Sequence, residues 1–305
     1  MINITYKVLN KFFYRPVDRS PRISRFLFLL KLLLARKRKR DLLLLITVTK
    51  TGTHYLRFLL AYYVLLVEMS DRHELDKVRA NQSIIDEFLP NNWHRSYRGF
   101  SSIGKPTTFL RHLGLFDIPR SHLRYRALEW RGFKVLHTYR PLIEQAVVSY
   151  ETKFACDSEL MSKYDTPYSL FDATFLENAE QIITHKNVEA GSGNVLRIEF
   201  RQIYENPEKC LSLIIMWLGH EPDLKLCDLA AKLCQKTPSI LVGAGEKWQR
   251  YPNDRISKEK LKVFFDKYSK SGAVDCFKDY FEDSDINEIN HVVSNNLGEE
   301  FQCTR

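Results

Sequence analysis

The feature that most restricts how this chain can fold is a single continuous unit: an apolar run, a short turn and a long apolar helix. Leu42–Val48 contains only Leu, Ile, Thr and Val, with its β-branched residues gathered at the end. Such a run fits a strand buried on both faces. A turn at Thr49–Gly52 follows, and the apolar spacing then predicts a helix over Thr53–Met69. The alternation recurs. Phe133–Tyr139 reads as a buried strand and Pro141–Phe154 as its helix. Asn194–Phe200 reads as a third strand, followed by a helix over Pro207–Leu218 that stops at Gly219. Strands alternating with helices at these intervals imply an α/β fold: a central parallel sheet with helices on both faces. Ligands of such sheets bind beyond the carboxyl ends of the strands.

Around this frame, Asp71–Phe88 is predicted to be a second, more polar helix, and Ile118–Leu123 a short extended piece. Pro90–Lys105 reads as a loop, and helices are expected at Asp223–Gln235 and Ser257–Tyr268, bracketing a glycine-containing loop at Val242–Trp248. The division expected is a basic leader over 1–40, an α/β domain over 41–270 and an acidic C-terminal extension over 271–305, helical or partly disordered.

Charge matters here through where it sits. The formal net charge is +9, yet twelve Lys and Arg against one acid, Asp18, put +11 into residues 1–40 and leave −2 for all the rest. A near-neutral body gives no electrostatic footprint for nucleic acid. Phe26–Ala35 is apolar but only ten residues long, contains Lys31 and runs into Arg36–Arg40. A membrane-spanning helix needs about 18–20 apolar residues. Two readings of residues 22–40 stay open: a helix packed on the domain, or one lying on an anionic membrane surface with Lys and Arg toward the headgroups. The six cysteines are scattered, without C-x-x-C or metal-type spacing, as expected of thiols in a reducing compartment. A cytoplasmic protein, soluble or peripheral to a membrane and without a bound metal, is the expectation.

The turn carries the chemistry. In Thr47-Val48-Thr49-Lys50-Thr51-Gly52-Thr53-His54-Tyr55, backbone N–H groups at a helix start form an anion site, reinforced by the positive end of the helix dipole. Gly52 permits close approach, Thr51 and Thr53 add hydroxyl donors, and Lys50 supplies a mobile charge. The Lys precedes the Gly and no second Gly stands upstream, so the nucleoside-triphosphatase pattern G-x-x-x-x-G-K-[ST] is not met.

This loop resembles the 5′-phosphosulfate loop of sulfotransferases that use 3′-phosphoadenosine 5′-phosphosulfate, roughly T-Y-P-K-S-G-T-T-W. Thr47, Lys50, Gly52 and Thr53 match outright, Thr51 stands for Ser and Tyr55 for the Trp that stacks on adenine, while His54 and Thr49 depart from the pattern. Pro119-Arg120-Ser121-His122-Leu123 looks like the family's K-T-H-L stretch, which would make His122 the general base and let Arg120 help to neutralise the sulfuryl oxygens. A His suits proton abstraction near neutral pH because its ordinary pKa is about 6.5. Val135–Pro141 with Ala146–Tyr150 is similar to the strand–R-N-P–helix segment, in which an Arg and a Ser hold the 3′-phosphate; the matching residues are Arg140 and Ser149, nine apart where the family has eight. Val195–Phe200, with Asn206-Pro207 and Trp217-Leu218-Gly219, resembles the next family stretch, Phe200 taking the place of a Tyr beside the adenine and Arg201-Gln202 replacing an acidic pair. Val242–Trp248 resembles the family's R-K-G-x-x-G-D-W loop that closes over the nucleotide, with the second Gly and the acid out of register. Gly243 is its matching glycine, the basic pair is lost, and Lys247 or Arg250 is left to replace those contacts.

The resemblance spans about Asp41 to Tyr268 and implies sulfuryl transfer to a hydroxyl or amine, with Lys50 and His122 catalytic. Thr51–Tyr55, Arg140, Ser149, Phe200 and Gly243 would hold the nucleotide. The acceptor stays open among glycan, lipid and small molecule; Trp93–Phe100 and Phe154–Leu170 are candidates to line its pocket. Two other readings remain: a small-molecule kinase, and a non-catalytic, membrane-associated nucleotide-binding protein.

Overall fold

The computed structural model describes residues 41–47, 52–80, 115–117, 120–121, 134–152, 163–192, 194–236 and 274–302. Strands β1 (Asp41–Thr47), β4 (Lys134–Tyr139) and β5 (Val195–Glu199) run parallel, with β1 hydrogen-bonded to β4 and β4 to β5. Two short parallel strands, β2 (Leu115–Asp117) and β3 (Arg120–Ser121), follow one another along the other edge of β1. The piece expected at Ile118–Leu123 therefore divides. β2 lies upstream of it, and only β3 falls inside. The register along β1 shifts between Asp41 and Leu42, so one straight strand does not serve that edge.

Helix α1 (Thr53–Asp71) follows β1, α2 (Leu142–Thr152) follows β4, and α3 (Pro167–Ser192) leads into β5. After β5 come α4 (Phe200–Glu205), α5 (Pro207–Trp217) and α6 (Leu224–Lys236). A 3-10 turn at Cys276–Asp279, helix α7 (Asp283–Leu297) and a 3-10 turn at Glu299–Phe301 end the described chain.

Pleating sorts the sheet's side chains into two cores. Leu43, Leu45, Leu136 and Ile198 face α1, α5 and α6, where Leu56, Leu59, Ile214 and Ala230 are buried. Every residue of α1 from Leu56 to Val64 is buried, Arg57 included, as a helix enclosed by other elements requires. On the opposite face, Tyr139 packs with α2, α3 and the C-terminal segment, through Ile143, Val147, Phe171, Phe175, Phe277, Ile289 and Phe301. Residues 276–301, read as helical or partly disordered, thus bury Phe277 and Phe301 in a core shared with α2.

Local chemistry sets the helix ends. The predicted helix over Asp71–Phe88 fails over residues 72–80. There, His73 adopts φ 56, and the Glu74 N–H reaches back to the Met69 carbonyl at 2.8 Å. This left-handed cap stops α1, and up to residue 80 the 3-10 turn Leu75–Lys77 follows. Gly219, at φ 93, ends α5 in the same way, with His220 N–H on the Ile215 carbonyl at 3.1 Å. Lys134 reaches the exposed carbonyls of that helix end, donating to Leu218 at 2.8 Å and to Trp217 at 3.3 Å. Among the described residues no helix is long and apolar enough to cross a membrane, and no group of His, Cys, Asp or Glu is arranged to hold a metal ion. The leader 1–40, the loops expected at Pro90–Lys105 and Val242–Trp248, and the helix expected at Ser257–Tyr268 lie outside the described residues.

Candidate functional site

The carboxyl ends of the three long strands converge, and each delivers one residue read as nucleotide-binding. β1 leads to Gly52, β4 to Arg140 and β5 to Phe200. Gly52 caps the N-terminus of α1 at φ 79 and ψ 16, and its carbonyl accepts from Leu56 N–H at 3.1 Å. An added Cβ there would lie 2.0 Å from Phe200 Cδ2 and 2.2 Å from Cε2. Glycine is thus required twice, by the left-handed backbone and by the ring that rests on it.

The Arg140 guanidinium lies 4.0 Å from the centroid of the same Phe200 ring, in cation–π geometry. Arg140 is 3% exposed. Its counter-charge is Glu144, one helical turn on and 1% exposed, with Nε to Oε2 at 3.8 Å. The other carboxylate oxygen, Oε1, accepts from the Asp275 main-chain N–H at 3.0 Å and from Arg201 Nη2 at 3.4 Å. Arg201 in turn donates to Asp275 Oδ1 at 2.7 Å. Two arginines, Glu144 and Asp275 therefore form a formally neutral cluster under the Phe200 ring, and it joins β4, α2, α4 and the C-terminal segment.

Burial raises the Glu144 carboxyl above its ordinary pKa, opposed first by Arg140, then by the Asp275 N–H and by Arg201. Burial likewise lowers Arg140, and Glu144 counters it. An Arg stays charged through any such shift. Burial is the largest single influence on Arg201 and works against its charge, but the hydrogen bond and attraction to Asp275, together with Glu144 and Glu205, outweigh it and raise the pKa. Glu199, the last residue of β5, is raised by burial and then by the neighbouring Glu144.

Tyr55, the expected adenine-stacking residue, lies in the first turn of α1 with its ring 5.9 Å from that of Tyr204, itself 5.9 Å from Phe200. Burial pushes the Tyr55 hydroxyl well up, so it stays protonated. Gly52, Tyr55, Arg140 and Phe200 are thus gathered, directly or through Tyr204. Ser149 is buried on α2. Five residues beyond Glu144, it lies about 7.5 Å further along the helix and on a different side. Arg120 is in β3 beside Leu45 of β1. Lys50, Thr51, His122 and Gly243 lie outside the described residues, as do the side chains of Thr53 and His54.

Four members of this cluster were not singled out from the sequence for their contacts here: Glu144, Tyr204, Arg201 and Asp275. The signal for Glu144 was present, since Arg140 and Glu144 are spaced i, i+4 at a helix start. In the sequence Arg201 stands out only as a departure from an acidic pair. It proves to be the cation that Glu144 and Asp275 share.

No protein-family model matches the sequence, and no curated protein matches it significantly. Solved structures do match. Retinol dehydratase in complex with androsterone and the inactive cofactor PAP superposes with a TM-score of 0.50 at 14% identity, over 84% of this chain and 80% of that one. A second retinol dehydratase structure, with retinol and PAP, gives 0.47 at 14% identity, over the same shares of the two chains. Mouse sulfotransferase SULT7A1 with PAP gives 0.46 at 15% identity, over 84% of each chain. Taken with the parallel sheet and its helices on both faces, the first of these matches shows that the chain has the P-loop-like α/β fold of the sulfotransferases.

Proposed function

We propose that the protein is a sulfotransferase that moves a sulfuryl group from 3′-phosphoadenosine 5′-phosphosulfate to a hydroxyl or amine. The observation that carries this reading is the convergence of Gly52, Arg140 and Phe200 at the carboxyl ends of adjacent parallel strands. The arrangement suits an adenine nucleotide with two phosphate groups. The N-terminus of α1 and its left-handed glycine suit one anion. The desolvated guanidinium of Arg140 suits a second, since a planar fork makes bidentate bonds to phosphate oxygens and burial weakens screening. A solved neighbour of the same fold holds PAP.

The donor supplies a sulfuryl group activated by its bond to a phosphate. In this reading Lys50 and the amides of Thr51–His54 stabilise the charge that develops on the departing phosphate oxygen, and preorganised donors there dominate the rate. His122 takes the proton of the attacking acceptor. Arg120 balances charge on the sulfuryl oxygens, and Ser149 and Gly243 complete the nucleotide contacts. The acceptor belongs to the class of glycans, lipids or small molecules, and the basic leader favours one presented at an anionic membrane surface from the cytoplasmic side.

Calorimetric titration with PAP (adenosine 3′,5′-bisphosphate), adenosine 5′-phosphate and ATP tests the proposal. Selective binding of the bisphosphate, lost in Arg140→Ala, is the expected result. Preference for ATP would favour a kinase. Donor binding with no turnover on an acceptor library would favour a non-catalytic nucleotide-binding protein.

A further inference from the structure

A guanidinium recognises phosphate only if its plane and its outer edge point the right way, and Phe200 and Glu144 bear on both for Arg140. The Phe200 ring covers one face of the guanidinium, its centroid 4.0 Å away. Glu144 engages the Nε edge at 3.8 Å, an ion-pair distance rather than a hydrogen bond. With one face and one edge defined, the direction of the terminal nitrogens is defined as well. Glu144 is in turn immobilised. It stands in the first turn of α2, where a carboxylate is favoured by the helix dipole. Its second oxygen is tied to the Asp275 main-chain N–H and to Arg201. The segment that supplies Asp275 is itself anchored by Cys276, Phe277 and Phe281 in the core that α2 and α3 share.

We infer that Glu144 is the positioning residue for Arg140: it orients the guanidinium for the nucleotide's 3′-phosphate, and the C-terminal segment holds it in place. The inference deepens the sulfotransferase reading and rests on it. It gives the acid-rich C-terminal segment a part in donor recognition, through a main-chain donor that no sequence motif displays.

The test measures PAP and adenosine 5′-phosphate binding by calorimetry on the full chain, wild type and variants, with circular dichroism as the check on folding. Glu144→Gln keeps the shape and removes the charge. It is expected to weaken PAP by about tenfold, equivalent to roughly 1.4 kcal/mol, while adenosine 5′-phosphate changes by less than about twofold. Glu144→Asp, which keeps the charge, should recover part of the preference. In an Arg140→Ala background, Glu144→Gln should alter PAP binding by less than about twofold, because two residues that act as a unit are not additive. Unchanged or tighter PAP binding in Glu144→Gln would overturn the inference, the latter by showing that the carboxylate competes with phosphate. Equal loss of both nucleotides, or loss of fold in both Glu144 variants, would also overturn it by marking Glu144 as structural. A wild-type chain without preference for PAP sinks the sulfotransferase reading itself. If wild type and Arg140→Ala behave as expected and only Glu144→Gln does not, the positioning role alone falls.

Discussion

Gly52→Ala probes the contact on which the site's geometry depends. Two separate penalties meet at this residue. A side chain at φ 79 must adopt left-handed backbone, which costs an L-residue about 1–2 kcal/mol. The new methyl would also stand 2.0 Å from Phe200 Cδ2. Ordinary contact between carbons begins near 3.5 Å, so the ring must retreat by roughly 1.5 Å. It has little room, because Arg140 packs on it and the residue is 6% exposed. Overpacking of this kind costs about 1–3 kcal/mol. The two effects together predict a loss of about 2–5 kcal/mol, a large part of the roughly 5–15 kcal/mol that holds a typical domain together.

A double-mutant cycle with Phe200→Ala, read by urea denaturation, separates the terms. Removing the ring is itself expected to cost about 3–5 kcal/mol. Without the ring, however, Gly52→Ala should cost only its backbone share, about 1–2 kcal/mol, leaving a coupling of about 1–3 kcal/mol. The reasoning is refuted if Gly52→Ala costs the same in both backgrounds, since the ring would then not be the obstacle. A cost below about 0.5 kcal/mol in the wild-type background would refute the backbone term too.

Three further outcomes follow from the same structure. Lys134→Met removes the donor to the Leu218 and Trp217 carbonyls at the end of α5 and should cost about 1 kcal/mol in denaturant melts. Glu199 has its native pKa raised by burial, so its contribution to stability is full below the ordinary carboxylate range and is lost as pH rises through the native value. Glu199→Gln should therefore melt above wild type at pH 7, and the gap should close as pH falls toward about 4. Cys210, Cys234 and Cys276 are buried and pushed up to about 12, so differential alkylation read by mass spectrometry should label them only after unfolding.

How much of this was legible in the sequence depends on whether the signal was local. The units β1–α1 and β4–α2 were read to within about two residues, because a buried parallel strand and the helix after it are each written in one uninterrupted pattern. Helix α3 was not anticipated at all. Phe171, Phe175 and Ile182 are buried along one side, but Leu176 and Ile183 are exposed on another, so no apolar stripe stands out. The helix expected over Asp71–Phe88 fails over residues 72–80 for the opposite reason. Its periodic pattern was visible, but the left-handed His73 that breaks it after α1 is a non-glycine residue, and the sequence carries no warning of it.

The site divides along the same line. Residues gathered at the strand ends, such as Gly52, Arg140 and Phe200, stand at fixed offsets from their strands and can be found by pattern. Residues that hold those groups in place cannot, because they reach them across the fold. Asp275 lies far along the chain from Glu144 and meets it through a main-chain N–H, which every non-proline residue carries and no pattern distinguishes. Arg201 shows the cost of judging by pattern alone. As a substitution for an acidic residue it counted as a poorer match. In the folded chain it supplies the positive charge that two buried or half-buried carboxylates need. A departure from a family pattern at a buried charge therefore calls for a search for the compensating partner before it is taken as lost function. Here Glu144 and Asp275 are those partners, and Arg140 stands next to them.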